Sequence, residues 1–355
     1  MSLPPGRVPG LVRHSGWVLL AAASLALTAC GGGAAPTVTA SDDITATKGV
    51  VPDPQLPETW PLTGLPVGDD GVVRPALAVK IENDRAARPQ TGLEQADVVW
   101  EEMVEGGLTR FVAVYHSQVP EEVGPIRSNR PMDARIVGPT EGLVAFSGGQ
   151  YTQLLRDAGL QVLSEDGGTP GFFRKSGIGI PHNVYGRPSV WWEVADESHA
   201  ANPPEQPAFA RTADRASAVT AGTPAATVEV TISNVSKPTW AWDAASGTWL
   251  RSEGATASSS RAGVRLAATN VVVLSVEVVL TEDRDPAGAR VPDTKLEGSG
   301  EALVATGGQT VAAVWTKAST TDPLVLTTAD GATIMLAPGN TWVELMPSER
   351  SWAVS

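Results

Sequence analysis

Residues 270–280, NVVVLSVEVVL, form an apolar, β-branched run broken by one serine and one glutamate. It is the strongest strand signal in the chain. The pattern around it agrees. Downstream, Glu301 to Lys317 carries Gly307-Gly308 at its centre with strand-like sequence on either side. Leu324 to Leu336 is split by Ala329-Asp330-Gly331, and Trp342 to Met346 ends the pattern. Upstream, Thr227 to Ile232 alternates, and Thr239–Trp242, Asp243–Gly247 and Thr248–Arg251 read as a hairpin. These stretches predict a mainly antiparallel β domain over 226–355.

Further towards the N-terminus, residues 201–225 are rich in Ala, Pro, Thr and Glu and predict a linker or a long surface crossover. Before them the signal is mixed. Strands are expected at Ala76–Ile81, Thr109–Tyr115 and Leu143–Phe146, and Asp97–Val104 reads as a strand or short helix. Pro131–Val137, Gln150–Ala158 (ending at Gly159) and Pro188–Val194 read as helices. The expectation for 60–200 is a layered α/β domain. The whole is then α+β, with the smaller β-rich domain at the C-terminus.

Residues 1–29 read as a secretory signal. Arg7, Arg13 and His14 form a basic start, and Trp17 to Leu27 is an apolar run too short to span a bilayer as a helix. The run ends in Leu27-Thr28-Ala29-Cys30, a lipobox: a branched apolar residue, two small ones, then cysteine. The expectation is cleavage before Cys30 and acylation of its thiol, palmitate included, since two acyl chains anchor stably where one does not. Residues 30–59, from Gly31-Gly32-Gly33 onward, read as a flexible tether. The protein is thus expected on the extracytoplasmic face of the cell membrane, held by its N-terminal lipid.

Charge and cysteine count narrow the function classes. The net charge is −13 over 355 residues, and removing Arg7 and Arg13 takes it to −15. A surface this acidic argues against nucleic acid as a partner. Cys30 is the single cysteine, so the folded part has no disulfide, thiol nucleophile or thiolate metal site. His116, His182 and His199 lie at no metal-ligand spacing, so neither a metal nor another cofactor is expected.

Several stretches together resemble the YerB-like bacterial lipoproteins, domain of unknown function 3048. In the N-terminal half they are PLTGLPV (61–67), RPALAVKIEN (74–83), ARPQTGLEQADVVWEEMVEGGLTRFVAVYHSQ (87–118), GPIRSNRP (124–131) and PHNVY (181–185). In the C-terminal half they are NVVVLSV (270–276), GSGEALVATGGQTVAAVWTKAS (298–319) and LAPGNTWVELMP (336–347). The resemblance implies a two-domain extracytoplasmic lipoprotein. It supplies a location and an architecture, not a reaction.

Chemistry is most concentrated at Gly124–Pro131, where Arg127 and Arg130 bracket Ser128 and Asn129 just before an expected helix start. Forked guanidinium donors and free N–H groups there suit phosphate or carboxylate. The plainer alternative is a capped turn whose arginines pair with Glu101, Glu102 or Glu105. His182 and Asn183 form a second candidate, able to orient a ligand or exchange a proton. Glu101 and Glu105, with His182, form a candidate catalytic set for an envelope hydrolase or transferase acting on wall polymers. If 98–104 is extended, Glu101 and Glu102 face opposite sides. Ser147-Gly148-Gly149 is a small-residue loop that would let a ligand approach the backbone. The C-terminal tryptophans read mostly as core. The leading expectation is a non-enzymatic lipoprotein that binds an anionic envelope component or a partner protein. The alternatives are the hydrolase or transferase, and a structural interaction protein whose arginines only lock the fold.

Overall fold

A computed structural model describes residues 57–68 and 71–355. The expected signal sequence, Cys30 and nearly all of the expected tether lie outside the described residues.

The N-terminal segment contains strands β1 (Leu77–Glu82), β2 (Val98–Met103), β3 (Thr109–Tyr115), β4 (Leu143–Phe146), β5 (Gln161–Ser164), β6 (Phe172–Arg174) and β7 (Val184–Gly186). Its helices are α1 (Asp133–Val137), α2 (Thr152–Asp157) and α3 (Pro188–Glu193). The crossing segment contains α4 (Ser217–Ala221) and β8 (Thr223–Pro224). Then follow β9 (Thr227–Val230), β10 (Pro238–Asp243), β11 (Thr248–Glu253), β12 (Thr256–Ala257), β13 (Ala267–Ala268), β14 (Asn270–Arg284) and β15 (Arg290–Lys295). The last are β16 (Gly298–Thr306), β17 (Gln309–Lys317), β18 (Val325–Thr327), β19 (Thr341–Pro347) and β20 (Trp352–Val354).

The architecture is α+β and strongly β-rich. It differs from the expected α/β layering in a specific way. The helical stretches at 133–137, 152–157 and 188–193 form, but none exceeds six residues. In α2 only Leu155 is buried, too small an apolar face to cover a sheet. The β2–β3 and β1–β3 pairings are antiparallel; parallel pairing in this segment is confined to β1–β4–β5.

Strands of both segments hydrogen-bond into one twelve-stranded sheet in the order β18-β17-β16-β14-β19-β2-β3-β1-β4-β5, with β15 on β14 and β8 on β17. The junction is β19, which lies parallel to β14 on one side and to β2 on the other. A six-stranded antiparallel sheet, β12-β11-β10-β9-β20 with β13 on β11, lies against one face. Alternate residues of β14 explain why its sequence is apolar throughout. Val271 and Val273 enter the core shared with the smaller sheet, together with Val228, Trp240 and Trp249. Val272, Leu274 and Val276 enter the opposite core, with Ile136, Val137 and Leu155 of the short helices. A strand buried on both faces loses the polar half of its alternation. Trp240, Trp249, Trp315 and Trp342 are buried. Beyond Val276, β14 leaves the sheet's buried centre and, paired with β15, extends as a hairpin arm.

Candidate functional site

The turn 124–131 is held by backbone bonds from three directions. Arg127 N–H donates to the Lys80 carbonyl on β1 (2.9 Å), Asn129 N–H to the Gly148 carbonyl (2.9 Å), and Ile126 N–H to the Val184 carbonyl on β7 (2.7 Å). Asn129 is fully buried; its Oδ1 accepts from Tyr151 N–H and its Nδ2 donates to Thr152 Oγ1. Gly149, at φ +118°, passes so close that a Cβ would strike the Asn129 amide, and one on Gly148 would strike the Asp166 carboxylate. These glycines make room for protein side chains. The helix after the turn has only five residues, and Arg130 N–H donates to the Asp133 carboxylate at 2.7 Å.

Arg127, Ser128 and Arg130 line a cleft of about 630 Å³. Its other walls are Glu105, the loop Ser147–Tyr151, Arg174, Ile180–Pro181 and the tip of the hairpin arm at Arg284–Pro286. Tyr151 Oη donates to Asp283 at 3.0 Å, joining arm to loop. Behind the cleft, Arg110 donates to the Ser128 carbonyl at 2.7 Å. Burial, with Arg130 and Arg127 nearby, pulls its pKa down to about 10. Arg130 turns inward, pairing with Glu105 at 2.6 Å and donating to the Asn129 carbonyl at 2.7 Å. Arg127 is the more open of the pair. It retains about a quarter of its exposure, with Nε 3.2 Å from Glu82 Oε1.

The other flagged residues meet this cluster through intermediaries. Glu82 Oε2 lies 2.9 Å from His182 Nδ1, so one buried carboxylate bridges His182 and Arg127. Asn183 Oδ1 accepts from Arg174 (3.1 Å), which also pairs with Glu165 (2.8 Å). Glu105 belongs to the cleft through Arg130. Glu101 does not. It faces the other side of β2, fully buried, with Oε2 2.6 Å from Arg251 and Oε1 accepting from Thr109 Oγ1 at 2.6 Å. Glu101, Glu105 and His182 therefore each have a different partner. No local spacing in the sequence marks Glu82, Arg174 and Arg284, because long-range folding alone brings them to the cleft.

A second groove of about 830 Å³ is lined by Trp60, Val72, Val73, Pro207 and Phe209, with Glu58, Glu205 and Arg211 as its ionisable residues. Among the described residues no group of three or more His, Cys, Asp or Glu is placed to hold a metal ion. No described helix is long and apolar enough to cross a membrane.

The fold and its cleft define a β-rich two-segment protein of a family whose biochemical role is open. Residues 62–201 match the family described as "Protein of unknown function (DUF3048) N-terminal domain", and residues 228–343 match its C-terminal domain. The chain belongs to this DUF3048 family. It is 28% identical over 316 residues to "Putative lipoprotein YerB" of Bacillus subtilis (strain 168), covering 87% of this chain and 92% of that protein. The crystal structure of the Bacillus subtilis YerB protein superposes with a TM-score of 0.71 at 25% identity, covering 84% of this chain and 100% of that one.

Proposed function

We infer that this is an extracytoplasmic lipoprotein, anchored through an acylated Cys30, which binds an anionic group of a cell-envelope component in the cleft at Arg127. The observation that carries the reading is convergence. Arg127, Arg174 and Arg284 come from three separate segments and line one cleft. Guanidinium forks suit phosphate and carboxylate. Glu165, Asp166 and Asp285 share the walls, so the cleft is polar rather than uniformly basic. It therefore suits an anion carried on a larger ligand with hydroxyl or amine groups, as wall polymers are. Arg110 and Arg130, bonded inward, serve the fold.

The test is titration of the purified protein with muropeptides and with phosphate-bearing polyol fragments. Arg127→Ala should weaken binding by about tenfold or more, as the loss of a hydrogen bond to a charged group does. Wild-type protein that binds neither class would sink the reading. For the anchor, a clickable fatty acid should label wild-type cells and leave Cys30→Ser protein unlabelled; equal labelling would exclude it.

A further inference from the structure

Beneath the arginine turn lie three ionisable side chains that the cleft does not use. Lys80 on β1, Glu102 on β2 and Asp133 at the start of α1 are each at least 98% buried. Lys80 Nζ lies 2.5 Å from Asp133 Oδ1 and in closer contact with Glu102 Oε1. Asp133 Oδ2 accepts the Arg130 backbone N–H at 2.7 Å. Apolar side chains of the same sheet face, Ala78, Val112 and Val114, with Met132 and Val137, form the surrounding core. A primary amine, a carboxyl group facing it and a second carboxyl touching the amine are held together out of water.

We propose that Lys80 and Asp133 join in an intramolecular amide cross-link, with Glu102 carrying the proton. The amine nitrogen attacks the Asp133 carboxyl carbon, so the Nζ–Cγ bond forms. Glu102 relays to the departing oxygen both protons that the nitrogen sheds, one before attack to free the amine lone pair and one after the Nζ–Cγ bond forms, giving up its own proton as it takes each. The Cγ–O bond breaks and one water leaves. An ammonium and a carboxylate thus become an amide and water, with no oxidant, reductant or co-reactant.

Three features favour the step. Exclusion of water and fixed contact supply the proximity that an amine and a carboxyl lack in solution. The Arg130 N–H is aimed at Asp133 Oδ2, where negative charge builds as the nitrogen adds. Burial, with Asp133 beside it, holds the Glu102 carboxyl well up, to about 8, so it carries a proton at neutral pH. The setting also gives the bond a use. With Cys30 the single cysteine, no disulfide can brace this chain. An amide from β1 to α1 would tie together the two elements that flank the turn.

Peptide mapping of the purified full chain by mass spectrometry tests this. Wild-type protein should yield a branched peptide joining the segments around Lys80 and Asp133, one water lighter than its two parts. Lys80→Arg, which keeps the charge without a primary amine, and Glu102→Gln should give the separate peptides at full mass. Separate, full-mass peptides from wild type would overturn the proposal, whether or not the variants fold. Complete cross-linking in Glu102→Gln would overturn the part assigned to Glu102.

Discussion

Glu101 and Glu102 are neighbours on β2, both fully buried, and they sit on opposite faces of the sheet. Glu101 enters the layer between the two sheets. There it meets Arg251, Thr109, Asn83 and Ser236, while Arg251 also pairs with Glu253 and lies over the rings of Phe111 and Trp342. Glu102 enters the other core, where Lys80 donates to its Oε1, the Asp133 carboxyl lies beside it, and its Oε2 has no hydrogen-bond partner among the described residues. Identical side chains at similar burial thus do different work. On one face a carboxylate saturated with donors welds the smaller sheet to the larger. On the other an undersatisfied carboxyl shares its amine with Asp133, one turn from the cleft. What separates the two is the number of donors brought to each, which neither burial nor residue type reveals.

The weld is where the comparison breaks most violently. Burial lowers the pKa of the Arg251 guanidinium, but Glu101, Glu253 and Glu344 outweigh it and raise the value above its ordinary range. Arg251→Met keeps much of the volume and leaves those acids without their cation. The expected loss is about 3–5 kcal/mol, the usual cost of breaking a buried ion pair from one side, read from the urea midpoint. A loss below about 1 kcal/mol, the range of exposed pairs, would show that water reaches the layer between the sheets. Arg130→Met, which strands Glu105 alone, should fall next in rank.

The two faces also differ in their response to pH. Between its ordinary 4.5 and about 8, folded Glu102 keeps a proton that the unfolded chain has released. Its contribution to stability is therefore present at low pH and is lost as pH rises through that window. Burial is the first cause of the shift, so the slope persists whether or not Lys80 is cross-linked. His116 does the opposite. Burial holds it down to about 4 against an ordinary 6.5, so its contribution is present above 6.5 and lost as pH falls towards 4. Denaturation midpoints should decline from about pH 6.5 to about 8 with a slope that Glu102→Gln flattens; between about 4.5 and 6.5 the two contributions oppose each other, so Glu102→Gln should expose an acid-side loss that adding His116→Gln removes. A Glu102→Gln profile parallel to wild type would place water or another donor at Oε2.

Much of this arrangement could be read from the chain. The β-branched runs fixed most strand positions, because a sheet buried on both faces demands them at β14, β1 and β19. Extended geometry for 98–103 was enough to send Glu101 and Glu102 to opposite faces. The layering of the N-terminal segment was not legible. Short apolar periodicities at 131–137, 150–158 and 188–194 resemble the ends of longer helices, and only packing shows that each stops within two turns. Nor could the insertion of β19 between β14 and β2 be read, since parallel pairing across so long a separation leaves no local mark. At the cleft, Arg127, Ser128 and Arg130 announced themselves by spacing. Glu82, which links Arg127 to His182, looked like one more acid at a strand end.

Arg127 should show the smallest effect on stability and the clearest effect on function. Its ion pair with Glu82 is partly open to solvent, and such pairs contribute about 0–1 kcal/mol. Its backbone N–H, which does anchor the turn to β1, is untouched by a side-chain substitution. Arg127→Ala should therefore shift the urea midpoint little while ligand affinity falls, and Arg130→Met should cost stability. If Arg127→Ala instead unfolds the protein as readily as Arg130→Met, the accessible guanidinium belongs with the structural ones. The division between a face that holds the molecule together and a face that meets a ligand would then have to be drawn elsewhere, beginning with Arg174 and Arg284.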